Sequence, residues 1–164
     1  MQFTKMHGIG NDFVMIDALG SLGEALLREA EQRSVWLCDR KFGVGADGVI
    51  LILPSSSADF RMRMFNPDGS EAEMCGNGIR CFAKFAYDKG ITKKTTLNIE
   101  TGAGVLETVA HVSGGLVDAV TVDMGEAHLA PTEIPVQLPG LRNGNVVAAP
   151  LQVDGADYAV TCVS

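Results

Sequence analysis

The densest run of chemically useful side chains lies between Phe65 and Cys81: Phe65-Asn66-Pro67-Asp68-Gly69-Ser70-Glu71-Ala72-Glu73-Met74-Cys75-Gly76-Asn77-Gly78-Ile79-Arg80-Cys81. Cys75 stands immediately before a periodic apolar stretch that predicts a helix from about Gly76 to Lys89. The first turn of a helix exposes unpaired N–H groups and carries partial positive charge. Both effects favour a thiolate. Gly76 and Gly78 strip side chains from that turn, so a ligand can approach the backbone closely. A carboxylate docks well on such N–H groups. One turn can therefore hold an anionic substrate and set a reactive thiol beside it. The bland alternative is a small buried residue in a glycine turn, which is how free cysteines are most often used. Cys81, six residues on, falls on another face of the same helix. It is read as structural, together with Cys38 and Cys162.

Asn11 and Asn66 sit in loops between expected elements. An asparagine amide can donate to a carboxylate and accept from an ammonium at once, which suits an amino-acid ligand. Equally, Asn66 can simply support its own Asn66-Pro67-Asp68-Gly69 turn. His7 has the chemistry of a base, but a single loop histidine is more often structural or exposed. Glu71 and Glu73 read as a solvated pair, or as an electrostatic cap on the coming helix. Gly43 to Gly48 matches G-x-G-x-x-G. A dinucleotide site needs a strand before that motif and a helix after it, and here the order is reversed, so nicotinamide binding is rejected.

The elements that must position these groups follow from periodicity. Phe3 to Met6 and Asp12 to Ala18 read as strands around the His7-to-Asn11 loop. A helix is expected from Ser21, as N-cap, to Asp39, with a stripe of Leu22, Ala25, Leu26, Ala30, Arg33 and Leu37. Val49 to Leu53 reads as a buried strand, and Phe60, Met62 and Met64 alternate with Arg61 and Arg63 as a half-buried one. In the helix after Cys75, Ile79, Phe82, Ala83 and Ala86 share a face, with Cys81 and Phe85 on another, so it should be enclosed; Gly90 is its expected C-terminal cap. Leu97 to Thr101, Val105 to Val112 and Leu116 to Met124 form a meander with glycine turns. Beyond Gly125 come Pro131, Pro135, Pro139 and Pro150, then a strand from Tyr158 to Ser164. The expected division is residues 1–120 as one domain carrying Cys75, and 121–164 as the incomplete start of a second.

Composition excludes several classes. The chain has 164 residues, 46% hydrophobic and 20% charged, an ordinary globular balance. A net charge of −7 with scattered basic residues offers nucleic acid no basic stripe. There is no apolar run of membrane length and no signal-peptide h-region, so the expectation is a cytoplasmic protein with no membrane partner. Four cysteines without CxxC spacing, and three histidines, give no zinc pattern and no metal is expected.

Three strings occur together in order: Met6-His7-Gly8-Ile9-Gly10-Asn11-Asp12-Phe13, Gly43-Val44-Gly45-Ala46-Asp47-Gly48, and Phe65-Asn66-Pro67-Asp68-Gly69-Ser70 with Met74 to Cys81. Together they closely resemble the diaminopimelate epimerase family, strongly from Met1 to about Gly125 and more weakly to Ser164. The resemblance implies an α/β (α+β) fold in which a mixed, mostly antiparallel sheet wraps a central helix, with a second similar domain. It implies an isomerase of lysine and peptidoglycan precursor biosynthesis that uses no cofactor, pyridoxal included, and interconverts LL- and meso-diaminopimelate. In such enzymes two cysteines face each other across the substrate α-carbon; one removes a proton and the other delivers one to the opposite face.

Carried over residue by residue, the resemblance makes Cys75 the catalytic cysteine of the first domain. Gly76 and Asn77 become the turn that holds the α-carboxylate, and Asn11 and Asn66 become substrate-binding asparagines. Some members have glutamine where Gly48 stands, so that contact is missing here or made by backbone. The opposing cysteine comes from a C-terminal domain that this chain lacks, which implies a fragment that does not epimerise alone. Members are often homodimers. Alternatives are a proline or hydroxyproline racemase-type epimerase, and a non-catalytic module binding diaminopimelate through Asn11, Asn66 and the Gly76-Asn77 turn. The His7-to-Phe13 and Asn66-to-Cys81 strings argue against the former. Cys75 argues against the phenazine-biosynthesis isomerases, which share the architecture but generally put other chemistry in place of the cysteine pair.

Overall fold

A computed structural model describes residues 1–134, 136–137 and 144–163. Pro135, Pro139 and Ser164, named above, lie outside the described residues. The chain divides into two compact units, Met1–Asp123 and Met124–Ser164.

The first unit runs β1 (Thr4–Gly8), β2 (Asn11–Asp17), α1 (Gly23–Cys38), β3 (Gly48–Leu53), β4 (Phe60–Phe65), β5 (Glu71–Ala72), α2 (Gly76–Asp88), β6 (Thr96–Thr101), β7 (Gly104–Ser113) and β8 (Leu116–Val122). The sheet order is β1-β2-β3-β4-β6-β7-β8, with the two-residue β5 attached to β4. The β2/β3 and β4/β6 pairs are parallel and the rest antiparallel. This is the mixed sheet around a central helix that the family resemblance implied.

Alternation along β2 and β3 explains why both are apolar throughout. Phe13, Met15, Ile50 and Ile52 face α2, joining Ile79, Phe82, Ala83 and Ala86 in the main core. Val14, Ile16, Val49 and Leu51 face the opposite way and pack under α1, with Ala30, Leu37 and Cys38. Strands covered on both faces need no polar side. The meander closes over α2 with Leu97, Ile99, Leu106, Val120 and Val122.

Both edges of the sheet reach α2. A cavity of about 300 Å³ is lined by His7 and Gly8 from β1, Arg80, Cys81 and Lys84 from α2, and Val117 to Val120 from β8. On that side Asp88 accepts from the Val117 N–H at 2.9 Å and is bridged at 2.7 Å by Lys84, which also donates to the Val117 carbonyl.

α1 differs from expectation at its start. Leu22, not Ser21, occupies the N-cap position, with no side-chain cap bond. Gly23 lies against the Ala18 carbonyl so tightly that a Cβ would collide, and this backbone contact sets the start. The buried face is Gly23, Ala30, Ser34, Leu37 and Cys38; Leu22 and Ala25 are exposed, because the stripe is rotated toward Ser34. At the other end, the Asp39 carboxylate accepts from the Lys41 and Phe42 N–H groups at 2.7 Å each and turns the chain away. α2 ends as read, with Gly90 at φ +71° donating to the Tyr87 carbonyl at 2.9 Å.

The second unit has a hairpin of β9 (Ala149–Val153) and β10 (Ala156–Val160), joined by Asp154-Gly155 at positive φ. The expected strand from Tyr158 is thus corrected: it begins at Ala156 and ends at Val160, and Cys162 lies past it, packed against the small core of Ile134, Val146 and Ala149. β9 carries Pro150, which hid it in the sequence. Among the described residues, no helix is long and apolar enough to cross a membrane.

Candidate active site

Cys75 is the N-cap of α2, with extended backbone at φ −144° and ψ 112°. Its Sγ accepts from the Gly78 N–H at 3.3 Å, and its carbonyl takes the Ile79 N–H at 2.8 Å. The thiol therefore lies on the first turn of the helix, with the N–H groups of Gly76 and Asn77 beside it in the sequence. A Cβ at position 78 would lie 2.8 Å from Ile50 Cδ1, 3.2 Å from Cys75 Cβ and 3.4 Å from Cys75 Sγ. Glycine there gives the cysteine room to fold back over its own helix. Cys75 is half-buried, whereas Cys38 and Cys81 are buried. Burial pushes both of those thiols up to about 11, and for Cys81 the neighbouring Cys75 adds to the effect.

The segment entering Cys75 is held from two sides. Glu71 forms a bidentate pair with Arg63, Nε to Oε1 at 2.6 Å and Nη2 to Oε2 at 2.5 Å, so it is neither merely solvated nor a helix cap. The Glu73 carbonyl accepts from the Ala103 N–H at 3.2 Å, and a Cβ on Gly102 would sit 2.8 Å from Glu73 Cα.

Asn11 comes from the other direction. β1 and β2 are joined by Ile9-Gly10, both at positive φ. A β-branched residue there stores about 1–3 kcal/mol of strain. This turn starts β2 at Asn11, whose Oδ1 lies 4.0 Å from Cys75 Sγ and accepts from Asn77 Nδ2 at 3.3 Å. Gly8 lies under Asn77: a Cβ would meet its carbonyl at 3.1 Å. The structure thus brings Asn11, Cys75 and Asn77 together, with Gly76 in the same turn. Asn66 stays in its own turn, where its Nδ2 donates to Ser70 Oγ at 3.0 Å and its backbone N–H to the Ser70 carbonyl at 2.8 Å. His7 is exposed on β1. Gly48 is buried, and a Cβ would begin 2.6 Å from Met64 Cε and 3.2 Å from the Phe65 carbonyl, so any longer side chain requires Met64 to move.

Sequence reading missed the charged residues behind Asn11. Nδ2 of Asn11 donates to Asp47 Oδ2 at 2.7 Å, which ties the first loop to the second glycine loop. Arg40 bridges Asp47 Oδ1 and Asp12 Oδ1, each at 2.7 Å, and Lys5 lies 3.1 Å from Asp12. The Arg40 guanidinium holds the Asp12 carboxyl well below the usual carboxylate range, and Lys5 adds to it. Arg80 donates to Asn77 Oδ1 from one helical turn on. The i,i+3 spacing of Asn77 and Arg80 was a usable signal; the pairing of Asn11 with Asp47 was not, since it joins residues 36 apart.

A thiol at a helix N-terminus, with an amide carbonyl 4.0 Å away and glycines on its turn, can serve proton chemistry beside an anionic ligand. Comparison with known proteins gives this arrangement a family. The diaminopimelate epimerase family model matches residues 3–130. The chain is 49% identical to a diaminopimelate epimerase of Pelotomaculum thermopropionicum over its whole length, covering 57% of that relative. It is 47% identical to one of Moorella thermoacetica, again covering 57% of it. The chain therefore spans a little over half the length of the curated relatives it matches. Among solved structures, a hydroxyproline epimerase from Agrobacterium vitis shares the fold at TM-score 0.62 and 18% identity, over 98% of this chain and 48% of that one. Motifs, fold and the match over residues 3–130 agree, and the chain belongs to the diaminopimelate epimerase family.

Proposed function

We propose that this chain supplies one of the two acid/base groups of a cofactor-independent epimerase that converts LL- to meso-diaminopimelate. The observation that carries the reading is Cys75 Sγ at the N-terminus of α2, 4.0 Å from Asn11 Oδ1 and bonded to the Gly78 N–H. The α-carboxylate docks on the N–H groups of Gly76 and Asn77, which places the α-carbon beside the sulfur. Cys75 as thiolate takes the α-proton: the C–H bond breaks, an S–H bond forms, and the electron pair stays on the α-carbon, delocalised into the carboxylate. A second thiol on the opposite face gives up its proton to that carbon. Protons balance, the centre inverts, and the two sulfurs exchange protonation states.

In this reading the second thiol comes from a C-terminal domain, as the family resemblance implies. In the same reading residues 1–120 form the N-terminal epimerase domain and 121–164 begin the next one. Asn11 contacts the substrate directly, and Asn66 does so once released from Ser70. Diaminopimelate is favoured over hydroxyproline because relatives at 47–49% identity carry that name, against 18% for the hydroxyproline epimerase.

The test is α-hydrogen exchange with deuterated water in the full-length protein, with LL-diaminopimelate, L-proline and 4-hydroxyproline in parallel. Exchange should occur with diaminopimelate alone, and Cys75→Ala should lower it by about 10²–10⁴-fold. Undiminished epimerisation in that variant would refute the assignment.

A further inference from the structure

Asn11 and Asn77 carry amides whose two ends are alike in shape and opposite in hydrogen-bonding character. Groups outside them set their direction. Arg80 donates to Oδ1 of Asn77, Nδ2 of Asn77 donates to Oδ1 of Asn11 at 3.3 Å, and Nδ2 of Asn11 donates to Oδ2 of Asp47 at 2.7 Å. A guanidinium has donors only, and an ionised carboxylate has acceptors only. The two ends of this row therefore permit one direction for both amides. Reversing either one sets donor against donor or acceptor against acceptor. Asp47 is itself fixed: its Oδ2 also takes the Asp12 N–H at 3.0 Å, its own N–H donates to the Asp12 carbonyl at 2.8 Å, and Arg40 holds Oδ1 at 2.7 Å.

We propose that Asp47 and Arg80 are positioning residues that lock the amides of Asn11 and Asn77, so that Asn11 turns its carbonyl, and not its NH2 group, toward Cys75. The proposal rests on the reading of Cys75 as the acid/base group. Oδ1 of Asn11 has two lone pairs. One takes the Asn77 amide, and the other takes the Cys75 thiol, Sγ 4.0 Å away, and is freed for a ligand donor when Cys75 is a thiolate. A ligand meets Asn11 there with a donor, such as an ammonium N–H. A ligand carboxylate is turned away from that carbonyl and goes to the N–H groups at the start of α2. The lock thus sorts the two charged groups of an amino acid onto different sides of the thiol, and the residues that do so touch no substrate.

The first measurement needs no variant. In the full-length protein, the side-chain NH2 protons of Asn11 should show nuclear Overhauser contacts to the Asp12 backbone N–H and none to the Cys75 β-protons. Contacts to Cys75 instead would overturn the proposal. Asp47→Leu removes the acceptor that fixes this end of the row, whereas an asparagine there would keep a carbonyl facing Asn11 and the Asp12 N–H. In Asp47→Leu contacts to Cys75 should appear, and KM for diaminopimelate should rise about tenfold while kcat changes less. Contacts that stay on Asp12 alone in Asp47→Leu would also overturn it. Asp12→Asn removes the same charge but leaves the partner of Asn11, and should keep the Asn11 contacts in place. The outcomes separate this lock from the catalytic reading. If Cys75→Ala still epimerises, the catalytic role fails whatever the amide direction. If Cys75→Ala is inactive and the Asn11 contacts point to Cys75, only the lock fails.

Discussion

Cys75 holds two jobs at once, and replacing it with serine or alanine should separate them. As N-cap it satisfies the Gly78 N–H through a sulfur 3.3 Å away, and as a half-buried side chain it packs against the main core. Serine keeps a cap atom of better acceptor character, on a shorter bond, facing the same N–H. Alanine leaves that N–H without its side-chain partner, which typically costs about 1 kcal/mol, within a range of roughly 0.5–2. Both variants lose the sulfur's share of burial, a cost common to the two that cancels in their difference. Cys75→Ser should therefore be more stable than Cys75→Ala by about 1 kcal/mol, equivalent to about 3–6 °C in Tm for a unit of this size. Thermal melts and urea titrations on matched samples read the difference. Both variants should be inactive, since a serine hydroxyl is too weak an acid to exchange roles with a thiol. Equal stabilities would remove the capping role, and a serine variant with full epimerisation would remove the chemical one.

Gly78→Ala gains about 1 kcal/mol of helix propensity but meets Ile50 Cδ1 at 2.8 Å, an overlap worth about 1–3 kcal/mol. Stability should be unchanged or fall by up to about 2 kcal/mol, activity should drop because Cys75 must shift, and Ile50→Val should restore part of the stability in a double-mutant cycle. Alkylation at pH 8 followed by mass spectrometry should leave Cys38 and Cys81 unmodified until denaturant is added, because burial pushes both thiols up to about 11. Asp12 has a carboxyl depressed in the folded state by Arg40 and Lys5, so its contribution to stability is complete above the unfolded value of about 3.9 and is lost as pH falls below it. Solvent and salt screen this network, so Asp12→Asn should cost at most about 1 kcal/mol at pH 7, and the cost should shrink progressively as pH falls below the unfolded value.

What was legible in the sequence was what periodicity and glycine can carry. Ile79, Phe82, Ala83 and Ala86 marked the buried helix, Val49 to Leu53 marked a strand covered on both faces, and Gly114-Gly115 marked the last turn of the meander. The placement of Cys75 one residue ahead of that helix was readable too, and its Sγ bond to the Gly78 N–H, which makes it the N-cap, is what the structure adds. The start of α1 was not, because it depends on Gly23 lying against the Ala18 carbonyl, a contact that no cap residue announces. β5, two residues long, is below what any pattern can signal. The network behind Asn11 was invisible for a different reason. Arg40 and Asp47 lie in the loop between α1 and β3 and Asp12 lies in β2, and the pairing of β2 with β3 brings them together.

The bond between Val117 and the Lys84–Asp88 pair bears on the solubility of the chain. β8 ends the sheet, and a terminal strand offers its outward N–H and C=O groups to any passing extended peptide. At Val117 both groups are already occupied, the N–H by Asp88 and the carbonyl by Lys84. A strand adding here would have to displace an ion pair held on a helix. On the opposite edge β1 is five residues long, carries Lys5 and stops at a tight turn. The two edges are thus protected by different means, one plugged from the helix and one kept short and charged, which guards this curled sheet against strand-to-strand aggregation.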